Sequence, residues 1–150
     1  MQRELLSAAV YISSGAASVA TAAARAAAKA TPRAAVVDTF ADPAYARSSV
    51  KIVGRSDELL TAALAAARDA LGRVDLTKEP APAPHPRQGA VDMVAFMPLT
   101  EIRDDALLEA CDALAWRFGE AFGDVPCLMY GPGRGRSLLE TRRGTSFFAS

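Results

Sequence analysis

The chain has 150 residues, with seventeen Lys or Arg and seventeen Asp or Glu, so its formal net charge is zero. Its length predicts a single domain, and the balanced charge argues against a dedicated nucleic-acid binder, which carries a basic excess. No apolar run approaches the roughly 18 residues that cross a bilayer. Two cysteines, Cys111 and Cys127, are too few for a disulfide framework and predict buried thiols in a reducing, cytoplasmic compartment.

The N-terminal stretch has two interpretations. Residues 5 to 37 contain basic residues but no acidic one, a composition that is typical of an organelle transit peptide. The alternative is that a strand at 8–12 and an alanine-rich helix at 16–30 belong to the fold, since alanine is the strongest helix former. From these residues alone both interpretations stay open.

The rest of the chain predicts alternating strands and helices. The turn at Asp42-Pro43 separates two β-rich runs and predicts a hairpin, which helical stretches flank on both sides. This order predicts a split βαβ arrangement in an α/β (α+β) fold, with a mixed sheet and the helices on one face. The predicted elements are strand 8–12, helix 16–30, strands 34–40 and 48–53, helix 56–74, strand 91–99, helix 104–122, strand 127–130 and a short helix at 138–143.

The strand that begins at Val91 is apolar on both faces. Its odd positions from 91 to 97 are Val, Met, Ala and Met, and the even positions after Asp92 are Val and Phe. Strands of this kind are usually covered on both sides. Because the helices are predicted on one face, we expect the other face to meet another copy of the chain, a separate domain or a larger assembly.

His85 is the only histidine, and it lies in a proline-rich connector, residues 78–86. We expect this connector to be extended and poorly packed, because proline lacks the N–H that a strand needs. An imidazole suits a general base near neutral pH, while the alternative is a solvated surface histidine. Without a second histidine or a nearby cysteine, the sequence predicts no metal site.

Four stretches together resemble the formiminotransferase family. Residues 85–99 read H-P-R-Q-G-A-V-D-M-V-A-F-M-P-L and resemble the family segment H-P-R-x-G-x-x-D-x-x-x-F-x-P. Residues 38–47 resemble F-x-D-x-x-Y-x-R, residues 125–131 resemble V-P-x-x-L-Y-G, and residues 139–144 resemble L-x-x-I-R-x-G. The opening strand is similar to that of plant-type members. The resemblance runs from about Ala8 to about Phe148.

The resemblance is to the N-terminal subdomain found in formiminotransferase-cyclodeaminase and in glutamate formimidoyltransferase. It implies that residues 8–30 belong to the fold, as a strand and a helix of a mixed sheet. The helices of that sheet lie on its outer side, and its other face packs on a second subdomain. We therefore expect residues 1–150 to form one such subdomain, with the second subdomain absent and the helix-free face open to that partner or to a homo-oligomer.

The family reaction transfers a formimino group from N-formimino-L-glutamate to tetrahydrofolate, in histidine catabolism and one-carbon metabolism. The resemblance implies that His85 is the general base, that Arg47, Arg87 and Gly89 bind substrate, and that tetrahydrofolate is the co-substrate without a metal. From the resemblance we expect small-molecule substrates, and we expect no nucleic acid and no membrane as a partner.

Several family positions are replaced. The family's N-F-S-E-G becomes Y-I-S-S-G at residues 11–15, an Asp falls on Phe40, an Asn falls on Ala46, and a K-G-E becomes P-A-P at residues 82–84. We therefore expect weak or no activity from the chain alone. The alternative to a transferase is a non-catalytic folate-binding or structural subunit.

Overall fold

A computed structural model describes residues 5–81, 83–99 and 105–143, apart from the side chain of Arg142. These residues form strands and helices of an α+β fold, and the predicted class is confirmed. The elements are β1 (Leu6–Ile12), α1 (Ala17–Ala30), β2 (Ala35–Asp42), β3 (Arg47–Gly54), α2 (Ser56–Arg73), β4 (Val91–Pro98), α3 (Asp105–Glu120), a 3₁₀ turn (Pro132–Arg134) and α4 (Leu138–Arg143).

The four strands form one sheet in the order β2-β3-β1-β4. This is the predicted split βαβ arrangement, because β3 lies between β1 and β2 while β1 lies between β3 and β4. All three pairings are antiparallel, so the sheet that the sequence suggested as mixed is antiparallel. The reason is that each helical crossover joins two strands of the same direction, and a strand of the opposite direction separates them.

The predicted strand at 127–130 is wrong. Residues 126–130 are irregular and belong to no strand of the described sheet. Pro126 lacks an N–H, and the Tyr130 side chain contacts β4 instead, with its hydroxyl 3.0 Å from the sulfur of Met93. Helix α4 lies where the sequence predicted it.

One face of the sheet carries the core. Alternate residues of β1, from Leu6 to Ile12, are buried, and their partners across the sheet include Val50, Ile52 and Phe96. Alanines line the buried sides of α1 and α2, so these helices lie close to each other. In α3 the Phe118 ring packs edge-on against Phe96, with centroids 5.9 Å apart. Helices α1, α2 and α3 therefore share one face, as predicted.

The opposite face, here called the helix-free face, carries no helix among the described residues, although the Tyr130 hydroxyl contacts it at Met93. Register places Met93, Ala95 and Met97 of β4 on it, while Val94 and Phe96 face the helices. Phe40 of β2 is 56% exposed and Met97 is 42% exposed. Strand β4 is thus apolar on both faces, and the apolar side chains of the helix-free face have no covering helix among the described residues.

Candidate active site

All four described strands have a terminus at one end of the sheet, where β1 and β2 stop and β3 and β4 begin. The turn after β1 packs directly on the turn between β2 and β3. A Cβ on Gly15 would clash with the carbonyl oxygen of Asp42 and lie 2.6 Å from the Cα of Pro43. Gly15 is therefore required by close approach of two backbones, and this contact fixes the loop that carries Tyr45.

A β-bulge in β4 aims Asp92 into this end of the sheet. Tyr11 pairs with Met93 and Ile12 pairs with Val91, so Asp92 is the extra residue. Bulges re-aim side chains in this way beside many active sites. The Asp92 carboxylate accepts hydrogen bonds from the Ser13 hydroxyl at 2.7 Å and from the backbone N–H of Gln88 at 2.8 Å.

Arg47 is the third partner of Asp92. Its Nε lies 2.5 Å from Asp92 Oδ2, and the two side chains are only 10% and 8% exposed. Its Nη1 donates to the carbonyl of Ala46 at 2.9 Å, and its Nη2 donates to the carbonyls of His85 and Pro86 at 2.9 and 3.0 Å. Arg47 thus binds the connector to the sheet. We call Ser13, Arg47 and Asp92 the base cluster.

His85 lies above the base cluster and is partly exposed. Its Nδ1 is 3.0 Å from the carbonyl oxygen of Pro86. A carbonyl only accepts hydrogen bonds, so this hydrogen bond requires the proton on Nδ1, and a neutral imidazole with that proton keeps its lone pair on Nε2. The described residues offer Nε2 no hydrogen-bond partner. The imidazole is thus set up to accept a proton from a molecule outside the chain.

Tyr45 is the aromatic neighbour of His85. Their ring centroids are 6.0 Å apart with the planes tilted by 50°, and the backbone N–H of Tyr45 donates to the Asp42 carboxylate at 3.0 Å. Ala46, the next residue, is buried and has a φ of 54°. The left-handed conformation costs a residue with a Cβ roughly 1–2 kcal/mol. Strain of this kind persists where the surroundings hold the backbone, as at functional sites.

Arg87 belongs to the same loop but has a different set of contacts. Its Nη1 donates to the carbonyl of Pro80 at 2.9 Å, while its Nε and Nη2 are shielded from solvent and find no hydrogen-bond partner among the described residues. The Nε2 of Gln88 is in the same condition. A Cβ added to Gly89 would meet only the Val91 carbonyl oxygen, at an ordinary 3.4 Å. We call Tyr45, His85 and Arg87 the rim.

The structure therefore brings Arg47 and His85 into contact, and Arg87 and Gly89 follow in the same loop. The connector contains no helix or strand among its described residues, as predicted. It is not loose at its ends, however, since arginines bind the carbonyls of Pro80, His85 and Pro86. The sequence predictions that His85 acts as base and that the other three residues bind substrate stay predictions.

A separate cavity of about 600 Å³ lies between β4, α3 and residues 125–133. His85 does not line it, although Gln88 and Gly89 reach its margin. Cys111 and Cys127 do line it. Cys111 is buried as predicted, whereas Cys127 is exposed, so the prediction of two buried thiols is wrong for Cys127. Partial loss of solvent around the sulfur raises the pKa of both thiols. The two thiols are therefore protonated near neutral pH and are poor nucleophiles.

Among residues 5–81, 83–99 and 105–143, no three His, Cys, Asp or Glu side chains are grouped closely enough to hold a metal ion. Across the described helices, none combines the length and the apolar character needed to span a membrane.

Comparison with known proteins identifies the family. The family model of the formiminotransferase domain, N-terminal subdomain, matches residues 5–149. The chain belongs to this family. It is 34% identical to a formiminotransferase cyclodeaminase-like protein of Arabidopsis thaliana, over 87% of the chain and 45% of that protein. It is 31% identical to formimidoyltransferase-cyclodeaminase of Sus scrofa, over 79% of the chain and 22% of that protein.

A bacterial relative extends the match. Glutamate formimidoyltransferase of Streptococcus pyogenes serotype M1 is 28% identical over 77% of the chain and 39% of that protein. The chain thus spans less than half the length of each of these formiminotransferase relatives.

Sequence reasoning missed three residues of this site as functional candidates: Ser13, Tyr45 and Asp92. Each of them coincides with a letter of a family stretch quoted above. Asp92 is an acid inside an otherwise apolar strand and occupies the D of the H-P-R segment, and Tyr45 occupies the Y before Arg47. Ser13 occupies the S of the N-F-S-E-G stretch, but its contact with Asp92 depends on the pairing of β1 with β4 and could not be predicted from that match.

Proposed function

We propose that this chain is the part of a folate-dependent formimidoyltransferase that supplies the general base, and that His85 is this base. The proposed reaction moves a formimino group from N-formimino-L-glutamate to tetrahydrofolate. The observation that carries the proposal is the partly exposed imidazole whose Nδ1 is bound to the Pro86 carbonyl, which leaves Nε2 free for substrate. The names of the formimidoyltransferase relatives support the class of reaction.

The proposed transfer needs a base at one step. An amine nitrogen of tetrahydrofolate attacks the formimino carbon, and it must lose a proton as the new C–N bond forms. His85 Nε2 accepts that proton and returns it to the glutamate nitrogen as the old C–N bond breaks. A positioned base of this kind accelerates a reaction by about 10²–10⁴-fold. The Tyr45 ring beside the imidazole offers an aromatic surface for the folate ring.

Arg87 is the proposed binding residue for a substrate carboxylate. Its Nε and Nη2 form the edge of a guanidinium that binds a carboxylate through two parallel hydrogen bonds, and both atoms lack a partner. Because both are shielded from solvent, the connector has to move before a carboxylate reaches them. We propose that Gly89, which follows in the same loop, permits this movement. Arg47 already binds the carboxylate of Asp92, so its proposed contribution to substrate binding is to hold this loop.

The helix-free face is the proposed contact surface for a second subdomain or a second copy of the chain. The matched stretch covers at most 45% of each relative cited above, and Phe40 and Met97 are exposed on this face. Burying an apolar side chain of this size contributes about 1.5–3 kcal/mol. Sedimentation velocity over a range of concentrations tests self-association, with Met97→Glu as the variant that weakens it.

The second candidate function is a non-catalytic folate-binding or structural subunit. It is favoured by the residues that replace the family's Asn and Glu, which fall on Tyr11 in β1 and on Ser14 after it. Ser14 is buried, and its hydroxyl accepts a hydrogen bond from the backbone N–H of Ala16. Because of this burial, the hydroxyl does not reach a substrate in this arrangement.

Two measurements on the whole chain separate these functions. Titration calorimetry measures tetrahydrofolate binding, and a single-turnover assay with excess protein measures formimino transfer. Binding with transfer supports the transferase, and binding without transfer supports the non-catalytic subunit. Neither binding nor transfer contradicts both candidates.

A further inference from the structure

We propose that Arg47 and Asp92 are positioning residues that hold His85 in the tautomer with the proton on Nδ1. The inference rests on the proposed function in one respect, namely that Nε2 is the nitrogen that meets substrate. The tautomer itself is a property of the chain without substrate and is measured separately.

The Pro86 carbonyl connects the base cluster to the imidazole. It accepts from His85 Nδ1 at 3.0 Å and from Arg47 Nη2 at 3.0 Å. A carbonyl oxygen has two lone pairs, so it accepts both hydrogen bonds at once. The guanidinium therefore fixes the orientation of the carbonyl, and the carbonyl in turn fixes which imidazole nitrogen carries the proton.

Arg47 holds that carbonyl only while its own position is fixed. Its Nη2 also binds the His85 carbonyl at 2.9 Å, so two successive peptide groups are tied to one guanidinium. Asp92 binds the Nε of the same guanidinium and the backbone N–H of Gln88, on the other side of Arg87. The base cluster thus holds the loop on both sides of Arg87, before and after it in the chain.

Loss of this arrangement has a specific consequence for the imidazole. Without Arg47 the Pro86 peptide group is free to turn, and Nδ1 loses its fixed acceptor. Water then satisfies either nitrogen, and the side chain exchanges between its two neutral tautomers. A fraction of the molecules then carries the proton on Nε2. In those molecules Nε2 has no lone pair with which to accept a proton from substrate. A role limited to fold stability would change the folded fraction but not the tautomer of the folded chain.

The experiment uses the fact that His85 is the only histidine. The whole chain is labelled with ¹⁵N-histidine, and long-range ¹H–¹⁵N correlation spectra are recorded at a pH where the imidazole is neutral. We expect the wild-type chain to show the single pattern of the Nδ1–H tautomer. We expect Arg47→Lys and Asp92→Asn to lose that single pattern and to gain the Nε2–H signals. Arg25→Lys, at an exposed position on α1, is the matched control and keeps the wild-type pattern.

Two results overturn the proposal. One is a spectrum of the wild-type chain that shows the proton on Nε2. This measurement does not depend on whether any variant folds. The other is a folded Arg47→Lys chain, judged by backbone amide spectra, with an unchanged Nδ1–H pattern. Failure of the transfer assay would contradict the proposed function and leave the tautomer result standing, so the two failures are distinguishable.

Discussion

The base cluster and the rim lie in adjoining regions of the same site, and their polar groups are used in opposite ways. Arg47 in the base cluster is almost fully buried and contacts one carboxylate and three carbonyls. Arg87 in the rim contacts one carbonyl and leaves two donors unpartnered. The base cluster thus uses its hydrogen bonds to fix the loop, while Arg87 in the rim keeps two shielded donors that the proposed function assigns to a ligand.

The same contrast explains why the positive charge of Arg47 does not by itself make it a substrate-binding residue. In a buried guanidinium whose Nε, Nη1 and Nη2 all have acceptors, binding an incoming carboxylate would break existing hydrogen bonds, so the net gain in free energy is small. A guanidinium with unpaired N–H groups gains about the full value of each hydrogen bond that a ligand supplies. Variants in the base cluster are therefore expected to act on stability, and variants in the rim on ligands.

The largest expected effect is on stability, from Asp92→Ala. This change leaves the buried Arg47 guanidinium without its carboxylate, and breaking a buried ion pair by removing one partner costs about 3–5 kcal/mol. Urea denaturation followed by circular dichroism measures the loss. Asp69→Ala is the control, because Asp69 pairs with Arg73 at an exposed position and pairs of that kind contribute about 0–1 kcal/mol. Equal losses in the two variants would contradict the assigned role of the base cluster.

A smaller loss is expected from Gly15→Ala, which tests the support beneath the rim. The new methyl group would collide with the backbone of Asp42 and Pro43, and overpacking of this kind costs about 1–3 kcal/mol. Gly72→Ala is the matched control, since nothing lies within 4 Å of a Cβ at Gly72 in α2. That control is expected to stabilise the chain by up to about 1 kcal/mol. Thermal unfolding of both variants measures the difference, and a Gly15 variant as stable as wild type would disprove the close approach.

A gain in stability is expected from Ala46→Gly, between the base cluster and the rim. Glycine adopts the φ of 54° seen at Ala46 without strain, and the relief exceeds the extra entropy of the unfolded chain. The expected gain is about 0.5–1 kcal/mol. Ala44→Gly, in the same turn but without a positive φ, is the control and should not stabilise. A loss of stability in the Ala46 variant, measured by urea denaturation, would contradict the strain.

The smallest change in stability is expected from Arg87→Ala. The variant loses one hydrogen bond to Pro80 but also removes two buried donors that have no partner, and these contributions oppose each other. We expect a change within about 1 kcal/mol, measured by urea denaturation beside Arg47→Ala. A loss as large as that of the Arg47 variant would remove the distinction between base cluster and rim.

Local sequence patterns predicted most of the fold. The turn at Asp42-Pro43 and the alternation in the flanking strands are local signals, so β2 and β3 were predicted to within about two residues. The hairpin of β2 and β3 and the split βαβ order were predicted, but the pairing of β1 with β4 was not, and that pairing completes an antiparallel sheet where a mixed one was expected. The strand at 127–130 was predicted from its β-rich residues, but a strand exists only where a partner accepts its backbone, and Pro126 cannot donate.

The site was predicted in part, for a related reason. The order of the H-P-R segment and of Arg47 pointed to two groups that the structure does bring together. The partner of Arg47 was not predicted, because Asp92 turns toward it only through the bulge that pairing of β4 with β1 produces. Likewise, the sequence does not predict that two donors of Arg87 lack a partner among the described residues, because this depends on which carbonyls the folded loop brings near the guanidinium. Residue type and order predict the groups of a site, whereas long-range pairing decides how each group is used.

The most direct test of the account is formimino transfer by the wild-type chain and by His85→Gln at equal tetrahydrofolate occupancy. Glutamine keeps a polar side chain but accepts no proton at neutral pH, so we predict that the single-turnover rate falls by about 10²–10⁴-fold. Tetrahydrofolate binding, measured by calorimetry, is expected to stay within a small factor of wild type. A His85→Gln chain that transfers the formimino group at the wild-type rate would contradict the assignment of His85 as the base.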